Sequence, residues 1–131
     1  MTLRELAEAI SAKERWGLQG GDGRFTMVVP IEGGRAQSVV LTEFAHDGSP
    51  MGRFTTRVGR VADLTPTRSR SALALNAGFP TGCLAIEGDE LVMTDTRPLK
   101  TTTVESSAHV VRFLAYQADR YERQIYGTDT H

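Results

Sequence analysis

Asp119 and Glu122 stand three positions apart in the segment ADRYE, one helical turn from each other, and two carboxylates at that spacing could form an acid/base pair or half of a metal site. No histidine accompanies them at ligand spacing, so a helix cap or an ion pair to a strand arginine is the expected use of these acids. The three histidines are scattered, with His46 in a turn sequence, His109 near the start of a helical segment and His131 at the last position. Cys83 is the single cysteine, which excludes an internal disulfide, and its neighbours Gly82, Leu84 and Ala85 supply no base to activate its thiol. Ser106 and Ser107 precede His109 without a nucleophile elbow or an acidic orienter. The run GGDG at Gly20 to Gly23 lacks both a Walker lysine and the strand-to-helix glycine fingerprint, and reads as a hairpin turn. The expectation is a protein with no catalytic group, cofactor or metal.

Charge distribution carries more information than these groups. Residues 53–70 contain Arg53, Arg57, Arg60, Arg68 and Arg70 against the single acid Asp63, whereas residues 71–95 contain no Lys or Arg. Strand alternation sets Arg53 and Arg57 on the face opposite Phe54 and Val58, where they grip a carboxylate-rich peptide or solvate the outside of a sheet. They are the candidate partner-binding residues. A net charge of −1 over 131 residues, without evident stacking aromatics, gives no reason to expect nucleic acid. The opening MTLRELAEAISAKERW holds Glu5, Glu8 and Glu14 and no uninterrupted apolar run, so it resembles neither a signal peptide nor a membrane span. A cytoplasmic protein without membrane contact is expected.

These side chains must be positioned by elements that the periodicity outlines. Leu3, Leu6, Ala7 and Ile10 form one stripe of an amphipathic helix, with Thr2 as N-cap and Glu5 as its capping-box partner. From Trp16 the period shortens: Phe25, Met27 and Val29, then Val39 and Leu41, then Phe54, Thr56 and Val58 alternate as three or four meandering antiparallel strands joined by glycine-rich turns. A short helix follows, begun by Thr67 or Ser69 and stopped near Gly78. Gly88 and Asp89 then form a two-residue hairpin loop that places Glu87 opposite Glu90, Ile86 opposite Leu91 and Leu84 opposite Met93. Leu84, Ile86, Leu91 and Met93 share the expected core face, and Cys83, Ala85, Val92 and Thr94 the other. Val104, Ala108, Val111, Leu114, Ala115, Ala118, Tyr121 and Ile125 give a last helix ended by Gly127. The order α-β-β-β(-β)-α-β-β-α over 1–127, with a loose tail at 128–131, predicts one α+β domain built on an antiparallel sheet.

The central helix is apolar nearly all round, because Leu73 and Leu75 lie about 200° apart on a helix and Ala72, Ala74 and Ala77 fill the remainder. It must therefore be covered on more than one side, by the last helix or by a second subunit. Ala72, Leu73 and Leu75 are the candidate dimer contacts.

The element order, with ALALN at 72–76, Gly82, LAIEGDELVM at 84–93 and Ala118, Asp119, Tyr121 and Glu122 in the last helix, resembles the type III secretion chaperone-like superfamily, and within it the YbjN-type branch. The detailed likeness covers about residues 70–122; the amino-terminal half agrees in pattern. That resemblance implies a small bacterial cytoplasmic protein, a homodimer that binds another polypeptide and catalyses nothing. The alternative is a small-ligand pocket or weak enzyme, which requires the Arg-lined face to be concave and closed over by the helices.

Overall fold

The computed structural model describes residues 1–126; the helix stop at Gly127 and the tail at 128–131 lie outside the described residues. The chain runs α1 (Leu3–Glu14), β1 (Gly17–Gly21), β2 (Arg24–Pro30), β3 (Ala36–His46), β4 (Ser49–Arg60), α2 (Pro66–Leu75), β5 (Cys83–Glu87), β6 (Glu90–Pro98) and α3 (Val104–Tyr126), which is the expected α+β order with four strands in the first meander. At the start of α1 the Glu5 N–H donates to Thr2 Oγ1 at 3.0 Å and the Thr2 N–H donates to the Glu5 carboxylate at 2.8 Å, closing the predicted capping box. The same bond from the Thr2 backbone holds the Glu5 carboxyl below its ordinary pKa.

Helix α2 begins earlier than its polar residues suggest. The cap is Thr65, whose Oγ1 accepts from the Arg68 N–H at 3.1 Å, in place of Thr67 or Ser69. Pro66 explains the shift, because a first helical position needs no N–H and favours the proline φ. The α-helical part stops at Leu75 and a 3-10 turn at Asn76–Gly78 follows.

All six strands form one antiparallel sheet in the order β1-β2-β3-β4-β6-β5. After β4 the chain crosses α2, enters at the sheet edge as β5, and turns back so that β6 fills the gap beside β4. The hairpin register is the predicted one, with Glu87 opposite Glu90, Ile86 opposite Leu91 and Leu84 opposite Met93. Where β4 meets β6 the pairing slips between Arg57 and Gly59, a bulge at which a side chain on Gly59 would collide with the Tyr126 ring. The Tyr126 hydroxyl donates to the Arg60 carbonyl at 2.7 Å, tying the end of α3 to that irregularity.

Helices α1 and α3 pack on one face of the sheet, α1 over β1–β3 and α3 over β3, β4 and β6. Phe25, Met27, Val29, Val39, Leu41, Phe54, Val58, Leu84, Leu91 and Met93 point toward them, and α1 contributes Leu3, Leu6 and Ile10. Each buried large apolar side chain is worth about 1.5–3 kcal/mol relative to exposure. On α3 the small Ala108, Ala115 and Ala118 are fully buried beside Val111 and Leu114, which brings the helix close to the strands. Gly82 permits the same closeness at the entry to β5. Its φ is +71°, and an added Cβ would lie 2.8 Å from a Leu114 methyl.

Two positions in the last hairpin depart from the expected core. Ile86 lies on the core-facing side yet is 62% exposed, whereas Leu84, Leu91 and Met93 are buried. Alternation selects a face but does not supply a cover, and β5 is an edge strand with only α2 beside it. Val92, expected on the outer side, is there and is nevertheless 2% exposed. It sits on an inner strand between Arg57 of β4 and Ala85 of β5.

Candidate functional site

The carboxylates that first suggested chemistry are apart in role. Asp119 is buried and receives Arg35 Nε at 3.1 Å on Oδ1 and Arg35 Nη2 at 3.0 Å on Oδ2, with Arg123 Nη2 at 3.2 Å as a further donor. This is the expected ion pair, made by an arginine one residue before β3; the bond to Asp119 raises the Arg35 pKa. Glu122 is exposed on the next part of α3. His46 lies 3.5 Å from Asp47 at an exposed turn, and His109 is exposed on α3; His131 is outside the described residues. Ser106 and Ser107 serve the start of α3, where the Ser106 N–H donates to Thr103 Oγ1 at 3.1 Å and the Ser107 hydroxyl pairs with that of Thr102 at 2.7 Å. Cys83 is half-buried opposite Thr94. The described residues contain no group of three His, Cys, Asp or Glu able to hold a metal ion, and no helix among them is long and apolar enough to cross a membrane.

A depression of about 650 Å³ between the end of α1 and the start of α3 includes Lys13, Glu14, Arg97, His109 and Arg112. Its charges are largely satisfied internally. Glu14 is bridged by Lys13 and by Arg112, and Arg97 by Asp95 at 2.7 Å. Burial pushes the Glu14 carboxyl upward, but the Lys13 hydrogen bond and the Arg112 charge outweigh it and leave the group below its ordinary pKa of 4.5.

Arg53 and Arg57 lie where alternation placed them, on the sheet face that no described helix covers, but they are not equivalent. Arg53 Nε donates to Thr96 Oγ1 at 3.1 Å, and its guanidinium carbon stands 4.3 Å from the Phe44 ring centroid. Arg57 is bound within the chain, with Nε 2.5 Å from Glu90 Oε2. Together with Arg24, Glu87 and Glu90 they rim a depression of about 290 Å³ whose floor includes Val40, Thr55 and Val92. The helices occupy the opposite face, so the closure required by an enclosed small-ligand pocket is absent among the described residues.

The three candidate dimer contacts also separate. Ala72 is buried against its own chain, Leu75 is half-buried against its own core, and Leu73 is 71% exposed. Cover on more than one side of α2 is thus partly supplied within the single chain, at Ala72 and Leu75, and the side that carries Leu73 is left open. Leu73 and Ile86 project beside an apolar groove of about 180 Å³ that also includes Leu64, Leu84 and Leu91. Asn76 closes the adjoining strand edge: its Nδ2 donates to the Leu84 carbonyl at 3.0 Å, and its Oδ1 accepts from the Leu84 N–H at 2.6 Å. This side chain takes the place of a neighbouring strand at Leu84.

Arg24 and Asn76 were not singled out by sequence. Alternation around Phe25 could have put Arg24 on the outer face, but its position beside Arg53 depends on the pairing register. Asn76 gave no signal beyond that of a helix-terminating residue. No protein-family model matches the chain, and no curated protein matches it.

Proposed function

We propose that this chain is a non-catalytic, dimeric protein-binding module, a chaperone-like or regulatory adaptor that holds a segment of another polypeptide against the uncovered face of its sheet. The carrying observation is that face itself, an antiparallel sheet layered with helices on one side only, with Arg53 held in place and free of any carboxylate partner among the described residues. The resemblance to the secretion chaperone-like superfamily and its YbjN-type branch supports the same assignment, as a protein of the bacterial cytoplasm.

The proposed dimer forms through Leu73 and Ile86. Both are large exposed apolar side chains next to a groove whose lining among the described residues carries no charge. A two-fold pairing seats each copy's projecting residues in the other's groove, which makes the patch self-complementary. Because Asn76 occupies the Leu84 edge, the contact is through side chains and does not extend the sheet.

Light scattering after gel filtration tests the dimer, and purification from the host tests the binding function. The expected results are twice the 14.3 kDa chain mass and a stoichiometric co-purified polypeptide that is lost from a folded Arg53→Ser variant. A monomer at high concentration removes the dimer. A bound small molecule with no polypeptide removes the adaptor.

A further inference from the structure

The outer sheet face carries a charge imbalance that its own chain leaves uncompensated. Register places Arg24 opposite Thr42, and Thr42 opposite Arg53, so both arginines stand in one row across β2, β3 and β4. Directly paired residues share a face, and two strand spacings separate the guanidinium stems by about 10 Å. Neither arginine has a carboxylate within ion-pair distance among the described residues, whereas Arg57 on the same face is held by Glu90. Arg53 is also pre-ordered by Phe44 and Thr96, so engaging a ligand costs it little further side-chain entropy.

The next row beside these arginines is uncharged and short: Thr26 opposite Val40, Val40 opposite Thr55, Thr55 opposite Thr94. The result is a shallow seat with small β-branched side chains on its floor and, along one wall, two guanidinium groups that lack a carboxylate partner among the described residues. The opposite end carries Glu87 and the Glu90 already bound to Arg57.

Resting on the polypeptide-binding function proposed above, we infer that this seat takes an acidic segment of the partner, whose carboxylates pair with Arg24 and Arg53 while small or apolar side chains cover Val40, Thr55 and Val92. Arginine forks match carboxylates in two-pronged geometry, and the partly buried floor strengthens such pairs relative to open solvent. A nucleic acid is the rival anion. Its continuous phosphate backbone would run onto Glu87 and Glu90 on the same seat, whereas discrete acidic side chains can stop short of them.

A display library of random peptides, selected on the full-length protein, separates the possibilities. Enrichment of Asp and Glu is expected, and re-synthesised acidic peptides should bind an Arg24→Ser/Arg53→Ser variant about tenfold or more weakly. Arg24→Ser alone, at an exposed residue whose side chain has no hydrogen-bond partner among the described residues, provides the same comparison should the double variant lose its circular dichroism spectrum. Enriched peptides without acidic bias, or acidic peptides indifferent to both variants, overturn the carboxylate seat and leave the polypeptide-binding function standing. Failure to enrich any peptide, while a labelled oligothymidine binds in an Arg24-dependent manner, overturns both.

Discussion

Arg35 and Asp119, separated by 84 positions in the chain, meet in a two-pronged ion pair in which Nε lies 3.1 Å from one carboxylate oxygen and Nη2 lies 3.0 Å from the other. The contact joins the approach to β3 to the middle of α3, and Arg123 one turn further along α3 reinforces it. Because the carboxylate is buried and the guanidinium is part-exposed, the two partners do not lose equally when the pair is broken.

Removing Arg35 strands most of a buried charge, whereas removing Asp119 leaves an arginine able to reach water. Arg35→Ala is expected to lower the unfolding midpoint, by an amount reduced by the solvent around the guanidinium. Asp119→Asn, which keeps an acceptor for Arg35, is expected to cost less. Urea midpoints of the two variants check the order, and an Arg35→Ala midpoint equal to wild type would show the pair to be energetically idle.

The exposure of Ile86 gives a second expectation. Leu91→Ala should cost about 2–5 kcal/mol, as large-to-small changes in a core do, and Ile86→Ala should cost under about 1 kcal/mol in the monomer. Chemical denaturation at low protein concentration makes the comparison. Equal losses would mean that Ile86 is covered in the isolated chain.

On α2, Leu73→Asp and Leu75→Asp should diverge. Leu75 packs on its own core, so a charge there should unfold the domain; Leu73 is exposed, so a charge there should give a folded chain of single mass. Circular dichroism combined with light scattering reads both. A folded dimer carrying Leu73→Asp would place the subunit contact elsewhere.

Acid should release the Glu14 clasp. The folded carboxyl lies below its unfolded value near 4.5, so its contribution is fully present above that value and is lost as pH falls through the folded one. Wild-type stability should therefore decline more steeply than that of Glu14→Gln as pH falls below the unfolded value of 4.5. Parallel curves for the two proteins would dismiss Lys13 and Arg112 as the cause.

The parts of this fold that sequence makes plain are those set by neighbours a few residues away. Thr2 and Glu5 announce their capping box, Gly88 and Asp89 set the hairpin register, and Phe54, Thr56 and Val58 declare their face by simple alternation. Ile86 obeys the same alternation yet stays wet, because cover comes from elements distant in the chain and α1 and α3 end short of the β5 edge. The Arg24–Arg53 row was hidden for the related reason that its spacing is created by pairing β2, β3 and β4. The ion pair of Asp119 was legible in kind, as a carboxylate needing an arginine, but its partner Arg35 depends on where the chain enters β3.

Asn76 gives the β5 edge a cover that only a carboxamide can supply. Its amide both donates to and accepts from the Leu84 backbone, a pairing that an acid of identical shape cannot reproduce, since a carboxylate would set an oxygen in place of Nδ2 against the Leu84 carbonyl. Asn76→Asp would therefore uncover the β5 edge at Leu84, between the exposed Leu73 and Ile86, without removing any apolar contact.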